Sequence, residues 1–227
     1  MKTYFFDLDG VLADSRPGLY LSFRAALAAI GVANLSDSGL DKFLGSPLPE
    51  MFRTLKPAIS TPEIATGIKA FRAAYESGGI KQNHLYPGVH ELLQAIRQRN
   101  YAAWIVTSKP EFYATQVATL LGLDQYVRGI VGAGLDESDT KAGLIARTLL
   151  QANVTSDEVI MLGDRHYDIS GALVNHMLPV GALWGYGSYA ELYSAGCRHF
   201  AQSPNDFQVM FVERSNAAIS KVRRSVA

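Results

Sequence analysis

Apolar positions along this chain follow two different periods. Tyr4-Phe5-Phe6 is an unbroken apolar run that stops at Asp7, and it predicts a buried strand over residues 2–8. Leu19, Phe23, Leu27 and Ile30 then recur at helical spacing, predicting a helix over 17–30 that Gly31 ends. Ser36 or Asp37 caps a short helix ending near Leu44, Gly45-Ser46-Pro47 breaks the chain, and another short helix covers 50–55. Thr61-Pro62-Glu63 starts a helix running to about Tyr75, which Ser77-Gly78-Gly79 stops. Residues 16–85 read as helices alone.

The pattern changes at Pro87-Gly88. Predicted helices over 89–97, 110–121, 140–150, 167–175 and 189–195 alternate with short apolar strands over 102–106, 126–131, 158–162 and 177–182. Such alternation implies parallel βαβ units with right-handed crossovers. The first strand belongs to that sheet, so the helical stretch is an insertion between the first strand and the rest. The segment after Phe207 predicts one more helix, and Lys221-Val222-Arg223-Arg224 reads as a frayed, solvated end.

Charge and composition exclude several roles. The chain has 227 residues and a formal net charge of zero, which argues against binding nucleic acid through a broad basic surface. Its single cysteine, Cys197, forms no intrachain disulfide and reads as a small apolar residue. The N-terminus lacks signal-peptide features, and no segment has the apolar length of a membrane span. The expected location is the cytoplasm. His84, His90, His166, His176 and His199 are scattered without zinc-ligand spacing. Gly132-Ala133-Gly134 lacks the third glycine of a dinucleotide fingerprint.

Parallel sheets bind ligands at the carboxyl ends of their strands. Asp7 and Asp9 end the first strand two residues apart, so in extended chain they project together. A fold accommodates two such carboxylates when a cation or an electrophile sits between them. Thr107-Ser108-Lys109-Pro110 ends the second strand, a hydroxyl and backbone amides suited to a phosphate oxygen. Lys141 opens a helix, where a bound anion offsets the unfavourable helix dipole. Gly163-Asp164-Arg165-His166-Tyr167-Asp168 ends the fourth strand. Its two carboxylates lie four apart on one face of a first helical turn and, with Asp7 and Asp9, make an oxygen-rich site suited to Mg²⁺.

These four elements, in this order at consecutive strand ends, resemble the haloacid dehalogenase superfamily in its phosphatase branch. Asp7 through Ser15 matches the first motif DxDGxxxDS, Thr107 the second, Lys141 the lysine motif, and Gly163 through Asp168 the GDxxxD motif. The resemblance implies an α/β fold, a Rossmann-like parallel-sheet core (1–15 and 86–227) with an inserted α-helical cap domain (16–85). It implies Asp7 as nucleophile and Asp9 as acid and base. Mg²⁺ would be held by Asp7, the backbone carbonyl of Asp9, and Asp164, with Asp168 in support. Phosphate-binding falls to Thr107, Ser108 and Lys141. Asp9 favours phosphatase or phosphomutase chemistry over dehalogenation, because only an alcohol leaving group needs its proton. Within the branch, Asp7 through Ser15 and Val106 through Pro110 look most like phosphoglycolate phosphatases. Some relatives act on nucleotides or other small phosphates. Ala142-Gly143 departs from the prolines that follow the lysine in many phosphoglycolate phosphatases. The cap would act as a lid, with Gly45-Ser46-Pro47-Leu48 as its substrate-reading loop. The implied partner is a small phosphorylated metabolite, with no nucleic acid or membrane, for a monomer or homodimer. Rival readings are a phosphomutase resembling β-phosphoglucomutase and a catalytically silent binding domain.

Overall fold

The computed structural model describes residues 2–136 and 138–213. Along the chain lie β1 (Thr3–Phe6), β2 (Ala13–Asp14), α1 (Arg16–Ala29), α2 (Asp37–Leu40), α3 (Leu48–Leu55), α4 (Thr61–Ser77), β3 (His84–Leu85) and α5 (Val89–Gln98). There follow β4 (Ala102–Pro110), α6 (Glu111–Leu120), β5 (Gly129–Ala133), α7 (Lys141–Ala152), β6 (Val159–Gly163), α8 (His166–Val174) and β7 (Leu178–Ala182). The last elements are α9 (Tyr189–Ser194), β8 (Phe200–Ala201), α10 (Pro204–Phe207) and a π-helical turn, Gln208–Val212. Residues 221–224 lie outside the described range.

The chain divides into two units, Met1–Ala13 with Leu85–Ala227, and Asp14–His84. The first is a Rossmann-like α/β unit. Its six strands run parallel in the order β5-β4-β1-β6-β7-β8. All four residues of β1 are buried, as its unbroken apolar run requires. Phe5 joins Val106, Val131 and Met161 in one core cluster, with Leu144 and Ile145 from α7. Tyr4 and Phe6 stack edge-on against Phe207, and the Tyr4 hydroxyl donates to Phe211 O at 2.8 Å. The chain order reverses around β1, with β4 and β5 on one side and β6 to β8 on the other. Parallel sheets place their ligand crevice at that reversal.

The second unit is helical. Ser60 and Glu63 form a reciprocal capping box at the start of α4, so the cap is one residue earlier than Thr61. Lys56 Nζ pairs with Glu63 at 2.6 Å and donates to Ile30 O at 3.0 Å. Gly45, at φ +78, turns the chain into α3.

Several elements differ from the sequence expectations. Residues 16–85 are not wholly helical, because β3 pairs with β2 where the chain passes between units. The strand expected over 126–131 begins only at Gly129, since Tyr126 N and Val127 N donate back to Leu123 O and hold that stretch in a turn. β4 continues to Pro110 through a register shift rather than stopping at Val106. β8, two residues long, has no periodicity to read. Among the described residues, no helix is long and apolar enough to cross a membrane.

Candidate active site

The site assembles at the carboxyl ends of β1, β4 and β6. Just past β1, Asp7 N donates to Leu162 O at 3.0 Å, which extends the ladder to β6 by one residue. The backbone then folds back tightly, with Leu12 and Ala13 N–H groups both donating to Leu8 O. Gly10 makes the bend at φ +86, and a Cβ there would lie 2.2 Å from Asp164 Oδ2. Glycine is therefore required both by backbone conformation and by the approach of the Asp164 carboxylate. Asp7 and Asp9 emerge from this bend with different partners. Asp7 Oδ1 lies 2.9 Å from the Lys141 ammonium, and Asp9 Oδ2 lies 2.6 Å from that of Lys109.

Asp164 and Asp168 do not share a helical turn as expected. α8 begins at His166, and Asp164 lies in the preceding bend. Asp168 folds back instead. Its Oδ2 accepts from Asp164 N at 3.2 Å and Arg165 N at 3.0 Å, while Oδ1 lies 2.8 Å from Lys141 Nζ. Asp164 Oδ2 accepts from Tyr186 N at 2.7 Å. Lys141 is the first residue of α7, whose cap is the Thr140 hydroxyl, and its ammonium also donates to Val106 O at 2.9 Å. The anions that offset the helix dipole are thus Asp7 and Asp168.

The charges in this cluster do not balance. Asp7, Asp164 and Asp168 offer carboxylate oxygens within 4.8 Å of one another, all largely buried, against the single ammonium of Lys141. Burial pushes the Asp7 carboxyl up to about 6, with Asp168 and Asp9 adding to it and Lys141 opposing. Burial, then Asp168 and Asp7, push Asp164 well above the usual carboxylate range. Burial opposes the charged form of Lys141, yet Asp168 and Asp7 outweigh it and hold the ammonium above its ordinary range. Asp164 Oδ1 is fully buried with no hydrogen-bond partner. An orphaned buried oxygen beside two more carboxylates, an all-oxygen donor set with excess negative charge, fits a hard divalent cation such as Mg²⁺. The side-chain cluster omits Asp9, whose carboxylate pairs with Lys109.

Thr107 is buried near the end of β4, and its hydroxyl accepts from Lys109 N at 3.2 Å. It does not lead directly into a helix, because α6 starts at Glu111. Ser108 is exposed. Two contributors escaped sequence reasoning. Lys109 lies past the point where β4 shifts register, so strand alternation from Thr107 does not locate its side chain. Glu191, in the first turn of α9, accepts from Arg165 Nε at 2.8 Å and from His166 N at 3.0 Å, with His166 Nδ1 at 2.9 Å. It braces the segment carrying Asp164, but its distance in sequence hides it.

The chain has relatives among known proteins. Haloacid dehalogenase-like hydrolase is the family whose model matches residues 4–177, a span that includes Asp7, Thr107, Lys141, Asp164 and Asp168. A 5'-nucleotidase of Pseudomonas aeruginosa is 31% identical over 86% of this chain and 88% of its own length. A phosphoglycolate phosphatase of Vibrio vulnificus is 30% identical over 86% of this chain and 89% of its own. Tyrosine-protein kinase PtkA of Mycobacterium tuberculosis is 34% identical over 80% of this chain, which spans 62% of that protein's length. The crystal structure of a predicted phosphatase from Clostridium acetobutylicum superposes with a TM-score of 0.88 at 31% identity, covering 94% of this chain and 99% of that one. The chain therefore belongs to the haloacid dehalogenase-like hydrolase family.

Proposed function

We propose that the chain is a Mg²⁺-dependent phosphatase acting on a small phosphomonoester of the phosphoglycolate kind, through an aspartyl-phosphate formed on Asp7. The observation that carries this reading is the pairing of Asp7 and Asp9 with separate lysines. One carboxylate faces the oxygen-rich cluster, and the other stands outside it.

Asp7 attacks phosphorus, and the bond from phosphorus to the ester oxygen breaks. Asp9 gives its proton to the departing alkoxide. Water then attacks phosphorus of the aspartyl-phosphate, Asp9 takes the water's proton, and inorganic phosphate leaves with Asp7 restored. Lys141, the Thr107 hydroxyl and the backbone amides following Asp7 and Thr107 stabilise charge on the transferring oxygens. Asp7, the Asp9 carbonyl and Asp164 would hold Mg²⁺ with Asp168 in support, and the ion would supply charge neutralisation between nucleophile and phosphate.

The named relatives support a phosphoryl-ester substrate and divide on its identity, one acting on nucleotides and one on phosphoglycolate by name. Transfer to a second hydroxyl in place of water is the alternative outcome, as in a phosphomutase or a kinase, and the likeness to PtkA favours testing it. Phosphoglycolate, nucleoside 5'-monophosphates and sugar phosphates, each assayed with Mg²⁺ or EDTA, test the proposal. Release of one inorganic phosphate per ester consumed supports hydrolysis. Consumption without release contradicts it.

A further inference from the structure

The end of β4 is built around an irregularity that delivers one side chain. Trp104 to Thr107 pair in register with Gly129 to Gly132, and then the register shifts, so that Pro110 and not Ser108 faces Ala133. Bulges of this kind re-aim side chains next to active sites. Three features stabilise this one. The Thr107 hydroxyl accepts from Lys109 N. Glu111 Oε2 accepts from Gly132 N at 3.1 Å. A Cβ on Gly132 would lie 2.5 Å from Glu111 Cα and 2.8 Å from Lys109 O, so only glycine lets the bulged strand lie this close to β5. The residue so aimed is Lys109, whose ammonium meets Asp9 Oδ2 at 2.6 Å, the two side chains only 6% and 15% exposed. An ion pair this secluded is weak evidence of a stabilising role, since desolvation offsets much of its attraction. Its effect is geometric, because it restrains rotation of the Asp9 carboxylate.

We propose that Lys109, presented by the β4 bulge, is the positioning residue that holds Asp9 in line for proton exchange with the leaving oxygen and the attacking water. The inference deepens the phosphatase reading and rests on it. It makes the need for Lys109 depend on how much the leaving group requires a proton.

The test compares phenyl phosphate, whose leaving oxygen needs a proton, with 2,4-dinitrophenyl phosphate, whose phenolate departs without one. Lys109→Met is expected to lower kcat/KM on phenyl phosphate, which covers only the steps up to release of the phenol, by about 100-fold, within the range of a general acid's contribution. Its loss on the dinitrophenyl ester should be at least ~10-fold smaller. In an Asp9→Asn background the same substitution should cost no further activity on phenyl phosphate, as expected of a residue acting through Asp9. Equal losses of kcat/KM on both esters would instead make Lys109 a phosphoryl-binding or purely structural group. An undiminished cost in the Asp9→Asn background would also overturn the proposal. Lys109→Gln, of similar length and uncharged, serves if the methionine variant does not fold. Wild-type hydrolysis of neither ester overturns this inference, while the phosphatase reading is decided separately by phosphoglycolate, nucleoside 5'-monophosphates and sugar phosphates. Hydrolysis of both by wild type leaves that reading standing whatever Lys109→Met does.

Discussion

At the scale of single residues, the site accepts a cost in the fold. Asp164 is fully buried, one of its oxygens has no hydrogen-bond partner, and two further carboxylates surround it. Asp164→Asn removes charge while keeping an oxygen for Tyr186 N. It is expected to stabilise the metal-free protein by on the order of 1–3 kcal/mol and to abolish any Mg²⁺-induced rise in melting temperature. Thermal unfolding in EDTA and in Mg²⁺ checks both parts. The pH dependence follows from Asp7, whose carboxyl is raised from 3.8 to about 6 in the folded chain. Between those values the native state binds more protons than the unfolded one, so stability falls as pH rises through that window. Asp164 is raised in the same sense. The cluster should thus contribute more to the stability of the metal-free protein at about pH 4 than at about pH 7, and added Mg²⁺ should help more at the higher pH. Unfolding scans across pH in EDTA, compared for wild type and Asp164→Asn to isolate the cluster, measure this directly.

At the scale of elements, what the sequence made legible was what runs of several residues encode. β1 and β6 declare themselves as apolar runs ending in Asp7 and Gly163-Asp164, and α1 and α4 through their helical spacing. Asp7, Lys141, Asp164 and Asp168 could be gathered before any coordinates because parallel strands deliver their ends to one edge. The bulge in β4 could not be read, because Thr107-Ser108-Lys109-Pro110 looks like a strand end followed by a turn, and only pairing with β5 reveals the shift. Gly132-Ala133-Gly134 is no dinucleotide fingerprint for want of a third glycine, and what Gly132 does could not be read: it is small because the bulge lies against it. β2, β3 and β8 are too short for any period. Gly132→Val is expected to destabilise the protein by about 1–3 kcal/mol through overpacking and to lower activity by displacing Lys109, readable as a melting shift alongside kcat. Glu191→Ala, which removes three contacts to Arg165 and His166, is expected to weaken Mg²⁺ binding by ~10-fold through a loosened Asp164 segment, checked by titration calorimetry.

At the scale of the whole molecule, the neutral formal charge gives no long-range attraction for a polyanion, and the charged chemistry is concentrated at one edge of the sheet. There the sheet's central strand leads into Asp7, its two neighbours carry the lysine-bearing bulge and the Asp164 segment, and α7 supplies Lys141. The helical unit Asp14–His84 enters the chain directly after the first of these elements, so the sheet edge and the insertion are linked by a few residues. The central claim is that Asp7 carries the phosphoryl group on its way to water. Its most direct test is inorganic phosphate release from a preferred phosphomonoester by wild type and by Asp7→Asn, each in Mg²⁺ and in EDTA. The account predicts release by wild type in Mg²⁺ alone, and a loss of at least ~1,000-fold in a folded Asp7→Asn protein. Undiminished release by that variant would contradict it.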